Sequence, residues 1–125
     1  MKKVIHTSKA PAAVGPYSQA IEANGMLFVS GQIPLNPETG KIVEGEIKEQ
    51  TKQVMENIRA ILDEAGYGFE NVIKSTCLLS DMANFQAMNE VYASYYPNNP
   101  PARAAFAVKT LPLNSLVEIE TIAVK

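Results

Sequence analysis

Core-type residues recur three or four apart from Glu46 to Ala65, at Ile47, Thr51, Val54, Ile58, Ile61, Leu62 and Ala65. That spacing lines them along one stripe of an α-helix, and Gly66 follows as a helix-ending residue. A helix with one apolar stripe must lay it on another element, and the flanking sequence offers strands. Val4 to His6 reads as a short first strand. Ser18–Ala23 and Met26–Ser30 flank Asn24-Gly25, a dipeptide that supplies the positive φ angles of a tight hairpin. Pro34 to Gly40 reads as a loop, and Asn71 to Leu79 as a strand holding Val72, Ile73, Thr76 and Cys77. Ser80 or Asp81 can cap a second helix that reaches about Tyr96, with Phe85, Met88, Val91, Tyr92 and Tyr95 on one side and Pro97 to stop it. Two strands close the chain, from about Ala104 to Thr110 and from Leu116 to Val124, and their succession predicts a hairpin turning near Leu113.

The order of elements predicts one α+β domain over residues 1–125, a mixed β-sheet with two helices on one face. No further element is left to cover the opposite face, so self-association is expected. The 46% apolar and 19% charged residues are those of a globular chain rather than a disordered one. No apolar run approaches the roughly 20 residues of a membrane-spanning helix. The basic start Met1-Lys2-Lys3 has no apolar stretch after it, which does not read as a signal peptide. One cysteine permits no internal disulfide, and a cytoplasmic location fits. A net charge of −2, with Lys2-Lys3 the only adjacent cations, argues against a dedicated nucleic-acid binder.

The chain also narrows its own chemistry. His6 is the only histidine and Cys77 the only cysteine, so no metal-ligand spacing exists. Neither a glycine-rich dinucleotide loop nor a phosphate-binding loop occurs, and neither metal nor cofactor is expected. Cys77 reads as a buried structural thiol and His6 as a surface or strand-edge residue without chemistry. Arg103 stands among Pro and Ala with no acid nearby in sequence, although its planar fork suits a carboxylate held by two hydrogen bonds. A structural ion pair and an anionic ligand explain it about equally well. Glu118 and Glu120 are two apart on a strand, hence on one face, and either is first read as a strand-surface carboxylate. In the predicted hairpin Arg103 lies level with about Ala123, five residues from Glu118 and pointing to the opposite face. Unless a bulge near Pro112 breaks the register, a ligand touching both must draw them from neighbouring subunits.

Four blocks carry a further reading: Gly15-Pro16-Tyr17-Ser18-Gln19-Ala20, Phe28-Val29-Ser30-Gly31-Gln32-Ile33-Pro34, Met88-Asn89-Glu90-Val91-Tyr92, and Pro101-Ala102-Arg103-Ala104-Ala105-Phe106 with Leu111-Pro112 and Val117-Glu118-Ile119. In this order they resemble the Rid (YjgF-like) family, nearest its RidA-like reactive-intermediate deaminases. The resemblance spans essentially the whole chain. It implies a chorismate-mutase-like fold, a homotrimer, and ligand sites in the clefts between subunits.

It also implies hydrolysis of 2-imino acids such as 2-iminopropanoate and 2-iminobutanoate to 2-keto acids and ammonia, without a cofactor. Pyridoxal-phosphate-dependent dehydratases would supply these substrates. By the same resemblance Arg103 and the Gly31 amide hold the substrate carboxylate, and Glu118, fifteen residues after Arg103, activates water. Tyr17, Ser30, Asn89 and the position of Ala105 line the pocket. Some bacterial members have cysteine where this chain has Ala105, which removes any thiol role there. A non-catalytic sensor of keto or amino acids is the chief alternative. A ribonuclease or translation inhibitor and a holdase-like chaperone are weaker ones.

Overall fold

The computed structural model describes all 125 residues. Six strands, β1 (Lys3–Ile5), β2 (Ala20–Ala23), β3 (Met26–Gln32), β4 (Val72–Leu79), β5 (Ala102–Ala107) and β6 (Val117–Val124), form one mixed sheet. Helices α1 (Ile47–Ala65) and α2 (Phe85–Ser94) pack together. The strand order is β1-β2-β3-β6-β4-β5. All neighbours are antiparallel except β4 and β5. No helix is long and apolar enough to cross a membrane.

The local signals are realised where the backbone chemistry is specific. Asn24 (φ 52°) and Gly25 (φ 74°) turn the β2–β3 hairpin. Gly66 (φ 81°) ends α1, its N–H reaching the carbonyls of Asp63 and Leu62. At the other end, the Glu46 N–H donates to Glu49 Oε1 at 2.8 Å. Val54, Ile58 and Ile61 of α1 are wholly buried, as are Leu27, Val117 and Ile119 of the sheet. Each such side chain contributes about 1.5–3 kcal/mol by leaving water.

Two expectations need correction. The second helix starts later and ends sooner than expected: a 3₁₀ turn at Met82–Asn84 precedes α2, and Asp81 Oδ1 accepts from the Ala83 N–H at 2.9 Å. The last two strands are not a hairpin, because β4 lies between them, parallel to β5 and antiparallel to β6. Parallel pairing needs a crossover, which α2 supplies, and β4 thereby satisfies the backbone groups of both its edges. The segment from Val108 to Leu116 then passes over β4, a span that a two-residue turn could not cover.

Side chains alternate across the sheet. Ser75, Cys77 and Leu79 of β4 are buried on the helix side, as are Val117, Ile119, Thr121 and Ala123 of β6. The other face has no helix over it, and Val4, Phe28, Phe106 and Val124 are exposed there, at 58%, 43%, 49% and 40%. A monomer rarely leaves so many large apolar side chains on one face of a sheet.

Candidate active site

A cleft of about 600 Å³ opens on the uncovered face, and its floor is an irregularity of β3. Val29 pairs with Thr121 and Gln32 with Ile119, so Ser30 and Gly31 together stand opposite Glu120 alone. This bulge re-aims the backbone, a device common beside active sites. Glu118 lies against it. A methyl group added at Gly31 would collide with the Glu118 carboxylate, 3.0 Å from Cδ and 3.3 Å from Cγ, so glycine is required for the carboxylate to rest there. Burial raises the pKa of the Glu118 carboxyl from its ordinary value, and the charge of Glu120 adds to it. Glu120 also lines the cleft but is exposed.

The walls are loops pinned by buried amides. Gln19, only 2% exposed, accepts from the Thr7 N–H at 2.7 Å and donates to the carbonyls of Thr7 (3.0 Å), Ala10 (3.3 Å) and Pro11 (2.8 Å). It thereby fixes the segment leading to Tyr17, which is half exposed at the cleft. The Ser30 hydroxyl donates to the Ser18 carbonyl at 2.6 Å, tying the same loop to the bulge. Asn57 of α1 donates to Ile33 (3.2 Å) and Leu35 (3.0 Å), holding the opposite wall. Gln50 Oε1 accepts from the Leu116 N–H at 2.8 Å, just before β6.

Arg103 is elsewhere. It pairs with Ser75, which in turn pairs with Thr121, whereas Glu118 pairs with Leu78. Arg103 is thus on the helix side of edge strand β5, three residues along β4 from Glu118 and on the other face. Strand geometry puts their Cα atoms about 14 Å apart. The guanidinium donates to Asn89 Oδ1 at 2.7 Å and lies over the rings of Tyr92 and Phe85, 5.0 and 5.5 Å from their centroids. These contacts hold the fork in place. The protein's ion pairs are Lys48–Glu90 and Arg59–Glu56, so Arg103 has no carboxylate in its own chain. Asn89, a pocket candidate from sequence, is in this chain a partner of Arg103.

Of the candidates, Tyr17, Ser30, Gly31 and Glu118 share the cleft, while Arg103 and Asn89 share a second, smaller depression. Ala105 lies on β5 beside Cys77, partly buried. Cys77 is buried, and burial pushes its thiol up to about 11 despite the nearby charge of Arg103, as expected of a structural residue. No group of three or more His, Cys, Asp or Glu side chains could hold a metal ion. The roles of Gln19, Gln50 and Asn57 did not emerge from sequence. Only Gln19 lay in a quoted block, and nothing in its type announced burial.

The comparisons agree with this architecture. The profile of the Endoribonuclease L-PSP family matches residues 7–125. A RutC family protein from Pyrococcus horikoshii is 57% identical over 100% of this chain and 99% of its own. The mouse 2-iminobutanoate/2-iminopropanoate deaminase is 49% identical over 100% of this chain and 93% of its own. The crystal structure of a Rid family protein from Yersinia pestis superposes with a TM-score of 0.97 at 47% identity, covering 100% of both chains. The chain therefore belongs to the Rid (YjgF-like, Endoribonuclease L-PSP) family.

Proposed function

We propose that this protein hydrolyses short 2-imino acids and their enamine tautomers to 2-keto acids and ammonia, in clefts completed by a neighbouring subunit of a homotrimer. One observation carries the reading. The cleft of each chain has two carboxylates and no cation in its lining, while Arg103 presents a fixed, acid-free fork at the sheet edge. A 2-imino acid offers what both lack: a carboxylate for the fork and a carbon open to water beside Glu118. The deaminase name of the mouse relative supports the same substrate class. Dehydratases that release enamines from serine or threonine are the expected source.

In this scheme Arg103 of one subunit binds the carboxylate bidentately and sets the imine carbon above the Ser30–Gly31 bulge of the next. Glu118 accepts a proton as water adds to the C=N carbon, and passes it to nitrogen to give a carbinolamine. It then carries the hydroxyl proton to nitrogen as the C–N bond breaks, leaving the keto group and ammonia. The raised pKa of Glu118 brings it closer to neutrality, which favours a group that must both take and return a proton. Placement of substrate and water supplies the remainder. An endoribonuclease reading is disfavoured by Glu118 and Glu120, whose charges repel a phosphate backbone.

The test couples a threonine or serine dehydratase to this protein and traps free imine with semicarbazide. Wild type suppresses trapping, and Arg103→Ala and Glu118→Gln do not. Co-refolding the two inactive variants in equal amounts forms mixed assemblies in which about a quarter of inter-subunit sites regain both native residues. Activity near a quarter of wild type is expected. No recovery in a verified mixture refutes the shared site, and no suppression by folded wild type favours a ligand sensor.

A further inference from the structure

The connection between β5 and β6 holds a leucine where the backbone does not favour one. Leu113 (φ 55°) and Asn114 (φ 55°) are both left-handed. Asparagine tolerates that region, but a leucine Cβ crowds the following carbonyl. The segment is forced into this shape from both ends. The Asn114 N–H donates to Leu111 at 3.0 Å, the Ser115 N–H to Pro112 at 3.1 Å, and the Leu116 N–H to Gln50. Leu111 and Ser115 are buried, whereas Leu113 is 67% exposed. The strain therefore gains no core packing in return, and Asn, Asp or Gly would serve the turn better. What Leu113 does is line the mouth of the cleft that holds Glu118, with Val14, 84% exposed, also in the lining. Persistent strain at an exposed, cleft-lining residue points to function rather than folding.

We propose that Leu113, with Val14, forms an apolar rim that selects the substrate side chain, favouring 2-imino acids with hydrocarbon side chains longer than methyl. This rests on the deaminase reading. In this proposal the remaining substituent lies against Leu113 and Val14, which share the cleft lining with Glu118. A polar or charged side chain there would lose water against two hydrocarbon surfaces.

The experiment compares two imines made in situ by an L-amino acid oxidase, one from alanine and one from leucine, for wild type, Leu113→Asn and Leu113→Ala. The readout is the ratio of kcat/KM for the leucine-derived imine to that for the alanine-derived imine. Loss of part of the contact with the added methylenes lowers this ratio about five- to tenfold in both variants. Asn also relieves the strain and raises Tm by about 3 °C, whereas Ala does not. A ratio unchanged within twofold in folded, normally assembled variants overturns the inference and leaves the deaminase reading intact. Reduced assembly with an unchanged ratio, seen by sedimentation, also overturns it and makes Leu113 a subunit contact. Failure of wild type to convert either imine removes both readings together.

Discussion

Gly31→Ala probes the site with one methyl group. The added carbon would stand where Glu118 Oε2 now rests, 3.0 Å from Cδ and 3.3 Å from Cγ, so the carboxylate must rotate away. Gly31 does not lie in the left-handed region, so alanine meets no backbone penalty. Glu118 is only partly buried and has room to turn, at a cost of about 1 kcal/mol for a side chain off its preferred rotamer. The fold should survive with Tm lowered by about 4 °C or less. Catalysis should not, because displacing a proton-transfer group by about 1 Å can cost 10²-fold in rate. The assay is initial-rate imine trapping, with thermal melts on the same samples. The double variant with Glu118→Gln should be hardly slower than Glu118→Gln alone, since both changes disable one group. A folded Gly31→Ala protein with kcat within twofold of wild type would refute the placement of Glu118 as the proton carrier. So would fully additive losses in the double variant.

Two further substitutions separate folding from function. Glu118→Gln should lower kcat by about 10²–10⁴ and yet stabilise the protein near neutrality. The folded-state pKa of Glu118 is raised, so its favourable contribution is complete below the unfolded value of about 4.3 and is lost as pH rises through the folded value. The variant should melt higher than wild type at pH 7.5 and equally at pH 4; an equal gap at both pH values contradicts the sign. Gln19→Leu strands the buried Thr7 N–H and three carbonyl partners, and should lower urea stability by about 2–3 kcal/mol. Hydrogen exchange should localise much of that loss to residues 7–18, and uniform protection there would argue against Gln19 as the staple.

The parts legible in sequence were those fixed by local chemistry. The Asn24-Gly25 turn, the stripe of α1 and its Gly66 cap need only neighbours a few residues away. Strand partnership is different, because alternation says which face a residue occupies but not which strand lies beside it. The expected hairpin placed Arg103 level with Ala123, whereas through β4 it is level with Thr121. The two partners differ by two residues, so parity survived the wrong pairing, and with it the conclusion that Arg103 and Glu118 face opposite ways. The bulge showed in sequence only as Ser30-Gly31, with no sign of which carboxylate would lie on it. The amides that hold the cleft walls were illegible for a similar reason. Each satisfies backbone groups brought near by the fold, and the distance in sequence reaches 66 residues for Gln50 and Leu116.

The same parity constrains how a complete site can arise. Bringing Arg103 to the cleft face within one chain needs a one-residue slip of β5 against β4. That slip would also turn Phe106 toward the helices and move Ala105 and Ala107 off them. It would break the contacts of Arg103 with Asn89, Tyr92 and Phe85 as well. A second copy demands none of this. Strand β5 is already an edge, with one side of its ladder unpaired, and Arg103 stands on it without a counter-charge. An edge of one subunit set against the cleft of the next is a head-to-tail contact, which closes only as a ring. In the proposed trimer each subunit gives an arginine to one neighbour and a Glu118 cleft to the other. If the exposed apolar face of Phe28, Phe106 and Val124 joins the subunits of that trimer, charged substitutions there should abolish turnover, read by imine trapping, even though every site residue is intact.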